Sequence, residues 1–204
     1  MLIHIHPQNP QMRLIRQVVD VLRGGGIVVY PTDTIYGLGC DISQHKAVER
    51  ICRIKGIDPQ KAQLSFVCYD LSQLSNYAVQ LATPTYRTLK QYLPGPYTFI
   101  LGASRQVPKI LKSKRDTVGI RVPDNVVARC LVKELGNPIL SASLPGENVE
   151  DYTDPEVIQE VFGKQVDLVI DAGIGGILPS TVIDFSKGAP ELVRKGAGEW
   201  HMEE

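Results

Sequence analysis

Gly24-Gly25-Gly26-Ile27-Val28-Val29-Tyr30-Pro31-Thr32-Asp33-Thr34-Ile35-Tyr36-Gly37-Leu38-Gly39-Cys40 decides the fold. Upstream, Leu14, Ile15, Val18, Val21 and Leu22 recur at helical spacing, and the three glycines stop that helix. Asn9-Pro10 supplies a start signal, an N-cap side chain followed by a proline. Ile27 to Tyr30 is short, β-branched and apolar on both faces, the pattern of a central strand. Pro31 ends it, because proline has no N–H for the ladder. A helix, a tight turn and a buried strand thus occupy the first thirty residues. A polar, glycine-bearing loop follows at the strand's carboxyl end, where open α/β sheets gather ligands.

The same alternation continues outward. Ser43 starts a helix carrying Val48, Ile51 and Cys52, and Leu64 to Cys68 is a strand. Thr83-Pro84 opens a helix through Leu89; Pro94-Gly95-Pro96 is a turn before the strand Tyr97 to Leu101. Val118 to Val122 is a strand, Asp124 or Asn125 caps a helix through Leu135, and Gly136 closes it. Ile139-Leu140 reads as buried, and Asp154-Pro155 starts another helix. Asp167 to Asp171, Thr181 to Asp184 and Glu191 to Arg194 are the last strands. Helices alternating with strands predict an α/β layered architecture. The close spacing of the later strands predicts that part of the sheet is antiparallel. The expectation is one domain over residues 1–204, with a mixed parallel and antiparallel sheet flanked by helices.

Composition narrows the function classes. The 204 residues are 43% hydrophobic and 22% charged, a globular balance. Lys+Arg and Asp+Glu are both 22, so no net field draws the chain to nucleic acid or membrane. Cys40, Cys52, Cys68 and Cys130 are scattered and read as reduced thiols. No apolar run approaches the roughly 18 residues of a membrane span, and no leader pattern precedes the first helix. The expected location is the cytoplasm.

Several side chains can carry chemistry, and each has a plain structural reading beside it. Thr32, Thr34, Gly37 and Gly39 offer hydroxyls and close backbone approach, or simply make a polar turn. Lys55 ends its helix, where it complements the dipole by about 0.3–1 kcal/mol or neutralises a phosphate. Arg121 lies inside a buried strand and needs an anionic partner, a protein carboxylate or a ligand. Thr117 begins the same strand. Ser141 and Ser143 follow a buried run, Ser180 follows a glycine-rich loop, and Arg194 adds a cation near the end. There is no Walker A pattern, no third glycine for a dinucleotide fingerprint and no G-x-S-x-G elbow. His4 and His6 have no third ligand near them in sequence. The basic run Lys109, Lys112, Lys114, Arg115 reads as a solvated face. Leu144 to Thr153, poor in apolar residues, is expected to be a mobile lid. The residues alone point to a small anionic ligand, of which a nucleotide is the leading class.

Taken in order, these signals resemble the YrdC/YciO family, which includes the threonylcarbamoyl-AMP synthases of TsaC type. The markers are Tyr30–Cys40, Pro94-Gly95-Pro96-Tyr97-Thr98-Phe99, Asp116–Pro123, Pro179-Ser180-Thr181-Val182-Ile183-Asp184 and Val193-Arg194-Lys195-Gly196. The resemblance runs from Asn9 to Gly196 and implies a twisted mixed sheet around a concave basic groove. It implies a nucleotidyl-transfer chemistry that joins L-threonine, bicarbonate and ATP, with Mg2+, into threonylcarbamoyl-adenylate for tRNA modification. Thr34, Arg121, Ser141 and Ser180 would then bind threonine; Lys55, Thr117, Ser143 and Arg194 would bind the ATP or AMP. No protein-bound metal and no covalent nucleophile is implied.

The sequence departs from the family pattern in three places. The arginine of the Lys-x-Arg motif is Ile57, and the asparagine of the Ser-x-Asn motif falls on Pro145. A histidine that the synthases carry falls on Val67 or Cys68. These departures resemble the YciO branch and imply an altered ATP site. The alternative function is a double-stranded RNA or tRNA binder without synthase activity, using the groove for shape and phosphates.

Overall fold

The computed structural model describes residues 1–58, 64–111, 116–146 and 152–201. The described strands are β1 (Leu2–His4), β2 (Val28–Tyr30), β3 (Gly37–Gly39), β4 (Ser65–Val67), β5 (Tyr97–Gly102), β6 (Thr117–Arg121), β7 (Ile139–Ser143), β8 (Leu168–Asp171), β9 (Thr181–Asp184) and β10 (Glu191–Arg194). They form one sheet in the order β1-β8-β2-β3-β7-β4-β6-β5-β9-β10. Parallel pairs (β1 with β8, β2 with β8, β4 with β6, β5 with β9) are mixed with antiparallel ones, and the closely spaced last pair, β9 and β10, is antiparallel. The helices are α1 (Met12–Arg23), α2 (His45–Lys55), α3 (Leu71–Tyr77), α4 (Thr83–Tyr92), α5 (Val126–Leu135) and α6 (Pro155–Phe162).

The capping signals operate unevenly. Asn125 accepts the N–H of Ala128 at 3.0 Å, and Gly136 closes α5 in the left-handed region at φ 84°. Asp154 caps α6 with Pro155 in its first turn. At α1 the start shifts to Gln11, whose side chain makes no capping bond in the helix but reaches back to the N–H of His6. At α2 the cap is Gln44 rather than Ser43. Helix α3 carries too few apolar residues for a periodic signal, yet Asp70 caps it by accepting the N–H of Gln73.

The two faces of the sheet are covered differently, and that difference makes the site. Phe66, Phe99, Val118, Ile120, Leu140 and Ile183 point to one face, where α2, α3, α4 and α6 cover them. On the other face, Val28, Tyr30, Val67 and Ile139 pack under α1 and α5 through Ile15, Val19, Leu131 and Val132. The strands run on beyond that cover. Ser65 stands opposite Ser141 and Gly119, and Gly119 opposite Ile100, so these residues continue the second face. The row of valine and isoleucine therefore becomes a row of serine and glycine where the helices end. Among the described residues, no helix is long and apolar enough to cross a membrane.

Candidate functional site

A cavity of about 180 Å³ opens on this uncovered part of the sheet. It is lined by hydroxyls from Thr32, Ser65, Thr98, Ser141, Ser143 and Ser180 and by the cations Lys55, Arg121 and Arg194. Ile35, Ile57, Leu64, Ala142 and Pro179 supply its apolar wall. Of the eight residues named from sequence, six line it. Thr34 lies behind the surface, 3% exposed, and Thr117 is not among the lining residues. Thr117 does share the face of Arg121, four residues away along β6, which at strand rise is roughly 13 Å. Thr32 was legible as one of the loop hydroxyls, whereas Ser65 and Thr98 carried no separate signal in sequence. Ser65 and Thr98 come to the site only because β4 and β5 flank β6.

Gly119 keeps the floor open. A Cβ there would stand 3.0 Å from the Cβ of Ser65 and 3.2 Å from Cγ2 of Thr98. Gly39 is bare for a different reason. A Cβ on it would meet Cε1 of the Tyr30 ring at 2.6 Å and Cγ2 of Ile139 at 2.7 Å. One glycine of the Gly37-Leu38-Gly39 pair therefore makes room for core packing, while Gly37 lines the cavity. The same two glycines hid β3 from a reading by propensity.

Arg121 meets its anionic partner within the chain. Its Nη2 donates to Asp33 Oδ1 at 2.9 Å and to Thr34 Oγ1 at 3.0 Å. Its Nε is buried and has no partner among the described residues. Burial raises the Asp33 carboxyl above 3.8, and the attraction of Arg121 opposes that shift without cancelling it. Burial also pushes Tyr30 up to about 12, although Ser141 bonds to it.

Lys55 stands where its helix-dipole reading puts it, and its side chain also reaches the cavity. It is the last residue of α2, and its Nζ donates to the Ser143 carbonyl at 2.7 Å and to Ser143 Oγ at 3.0 Å. Burial lowers its pKa. Ile57, two residues on, faces the same cavity with an apolar surface.

Arg194 reaches the site through a bulge. Leu192 stands opposite Ile183, whose side chain is in the core on the far face. Regular alternation would send Arg194 to that same face. The register instead shifts between Leu192 and Arg194, and Arg194 stands opposite Val182. Val182 is opposite Thr98, so the bulge turns Arg194 to the cavity side. There its guanidinium donates to the Ser180 carbonyl at 2.9 and 3.2 Å and to Ser180 Oγ at 3.2 Å. Ser180 Oγ also shares a hydrogen bond of 2.8 Å with Thr98. Ser180 and Arg194, assigned from sequence to different halves of a ligand, are thus in direct contact. Burial, then the charge of Arg121, lowers the pKa of Arg194.

The glycine-rich loop from Gly173 packs on the same corner. Gly176 donates its N–H to the Thr34 carbonyl at 2.8 Å, and Tyr36 donates its hydroxyl to the Gly173 carbonyl at 2.7 Å. Of the expected lid, residues 147–151 lie outside the described residues, as do Lys112, Lys114 and Arg115 of the basic run.

A mixed sheet with one face half covered, and hydroxyls and cations on the bare half, makes this an α/β protein with a polar, cationic cavity as its candidate site. Comparison with known proteins gives the family. A family model for Sua5, YciO and YrdC, described as telomere recombination, matches residues 20–196, and the chain belongs to this family. The uncharacterized protein YciO of Escherichia coli K12 is 46% identical over 199 residues, covering 96% of this chain and 95% of that protein. A threonylcarbamoyl-AMP synthase of Nitrosococcus oceani is 33% identical over 162 residues, 79% of this chain and 86% of that one. Among solved structures, E. coli YciO superposes with a TM-score of 0.90 at 45% identity, covering 98% of this chain and 97% of that one. Sua5 of P. abyssi, complexed with L-threonine, gives 0.85 at 29% identity, covering 96% of this chain and 57% of that one.

Proposed function

We propose that this cavity binds L-threonine and the adenine nucleotide of a threonylcarbamoyl-adenylate synthase-type reaction. The observation that carries the reading is Arg121. It is a buried guanidinium on the cavity wall with an unpartnered Nε, ringed by serine and threonine hydroxyls. With both Nη2 hydrogens bound to Asp33 and Thr34, the Nε–H, unpartnered among the described residues, is a charged donor that suits one oxygen of an amino-acid carboxylate, with the adjoining hydroxyls for the other. Ser141 and Ser180 adjoin it, while Thr34 holds the guanidinium from behind. Lys55 and Arg194 face the same space and would receive phosphate charge, with Ser143 beside Lys55 and Thr117 further along the same face. The synthases at about 30% identity and the threonine complex of Sua5 support the same ligand set.

The reaction asks little else of the protein. Bicarbonate carboxylates the amino group of threonine with loss of water, and an oxygen of the resulting carbamate attacks the α-phosphate of ATP as pyrophosphate leaves. Holding two anions together against their repulsion is the larger part of that work. No carboxylate lines the cavity among the described residues, so magnesium would enter as a ligand of the nucleotide phosphates. Ile57 places an apolar side chain where the resemblance implies an arginine. The ATP half of the site is therefore the altered half, and the adenylate's acceptor would be a tRNA.

The test is pyrophosphate release by the full chain given ATP, magnesium and bicarbonate, with and without L-threonine. Threonine-dependent release, with threonylcarbamoyl-adenylate identified by mass, is the expected result. Release that ignores threonine, or none where a synthase control is fast, would refute it.

A further inference from the structure

Arg121 already carries a carboxylate, and that carboxylate is tied down from two directions. Asp33 Oδ1 accepts from Arg121 Nη2 at 2.9 Å, and the two side chains are 8% and 7% exposed. Asp33 Oδ2 accepts the backbone N–H of Asp124 at 2.9 Å, in the lead into α5. The loop after β2, the end of β6 and the start of α5 thus meet on one carboxylate.

The neighbouring hydroxyls have a fixed polarity. Thr32 Oγ1 donates its single hydrogen to the Ile35 carbonyl at 2.8 Å. In its 2.9 Å contact with Thr34 Oγ1 it therefore accepts, and Thr34 donates. Thr34 is then left as an acceptor for Arg121 Nη2 at 3.0 Å. Both hydrogens of Nη2 are spent on Asp33 and Thr34. The guanidinium plane is fixed by these two bonds, and the buried Nε is left without a partner.

Charge is divided along the cavity as a result. Arg121 and Asp33 cancel at one end. Lys55 and Arg194 have no salt-bridge partner among the described residues, so positive charge gathers around them.

We infer that Asp33 is a positioning residue of this site, an internal counter-ion that fixes the Arg121 guanidinium for a ligand carboxylate and leaves that end without net charge. The inference rests on the reading of Arg121 as a carboxylate receptor given under Proposed function. Its consequence is selectivity. A carboxylate is taken at Arg121 by hydrogen-bond geometry rather than by field, so small inorganic anions compete poorly there. The phosphates of a nucleotide meet uncompensated charge and are held in a salt-sensitive way.

The experiment is titration of the full chain with L-threonine and, separately, with AMP, at low and high salt, for the wild type, Asp33→Asn and Asp33→Glu. In Asp33→Asn the threonine affinity falls by about tenfold or more, because a charge-assisted anchor is lost. The binding that remains becomes salt-sensitive, since Arg121 is now an uncompensated cation open to competing anions. A purely structural role would not change that salt response. Asp33→Glu keeps the charge and displaces the guanidinium, so threonine affinity falls while the salt response stays that of the wild type. AMP binding is retained in both variants. Wild-type threonine affinity and salt response in Asp33→Asn would overturn the inference. If Asp33→Asn does not fold, wild-type affinity in Asp33→Glu overturns it instead. Failure of the wild type itself to bind L-threonine while binding AMP would overturn the carboxylate-receptor reading, and this inference with it.

Discussion

Replacing Arg121 by alanine separates its two jobs, ligand capture and compensation of Asp33. The substitution leaves a carboxylate only 8% exposed with its charged partner gone. Breaking a buried pair from one side costs about 3–5 kcal/mol, because the remaining charge is uncompensated. A domain of this size loses roughly 2–4 °C per kcal/mol, so the melting temperature should fall by roughly 6–20 °C. The deficit also depends on pH with a definite sign. The folded Asp33 carboxyl already lies above 3.8 because burial outweighs Arg121, and removing Arg121 takes away the largest influence lowering it. A raised folded pKa means that the folded state holds the proton more readily than the unfolded chain. Stability is then greatest below 3.8 and falls as pH rises through the folded value. The deficit of Arg121→Ala should therefore be largest near neutrality and shrink toward pH 4, in melts followed by circular dichroism across that range. Threonine binding should be lost at every pH. The double variant Asp33→Leu/Arg121→Met, which removes both charges, should recover most of the stability without recovering binding. A deficit below about 2 °C, or one equal at pH 4 and at pH 8, would refute the account of the pair.

Ile57→Arg combined with Pro145→Asn should raise threonine-dependent pyrophosphate release if a charge and an amide are all that the ATP half lacks; about a hundredfold is the scale of one such contact. No gain would mean that the apolar wall at Ile57 has reshaped the pocket. Deleting Val193 should remove the bulge yet leave Arg194 next to Leu192 and opposite Val182, on the cavity side, so AMP binding should stay close to wild type while Arg194→Ala weakens it; a loss as large as that of Arg194→Ala would show that the bulge itself shapes the site. Gly39→Ala should destabilise the fold by about 1–3 kcal/mol in chemical denaturation, because its Cβ has no room beside the Tyr30 ring. Gly37→Ala, whose nearest contact would be 3.4 Å from the Ala142 carbonyl, should cost less stability and act instead on ligand affinity.

Local signals were legible in sequence wherever one residue's chemistry sufficed. The apolar run Ile27 to Tyr30, the Asn125 and Gly136 ends of α5, the Asp154-Pro155 start of α6 and the last strands all stand close to where pattern and caps put them. Helix α3 escaped because it is only seven residues long, with a cap but no apolar period. Strand β3 escaped because Gly37 and Gly39 have no side chain to show a strand pattern. The cations and serines of the site were legible as candidates, because a buried arginine in β6 and hydroxyls at strand ends are unusual enough to notice. Their partners were not. Asp33 and Arg121 are 88 residues apart, and only the sheet order brings the end of β6 to the loop after β2. Arg194 faces the cavity only because of a one-residue shift in β10, which no period in the sequence reveals. The sequence by itself determined the elements, their alternation and the residue types available for binding an anion, since those follow from side-chain polarity and local backbone preference. Tertiary structure alone decided which face of the sheet stays uncovered, which carboxylate neutralises which cation and where positive charge is left over, because these depend on contacts between residues far apart in the chain.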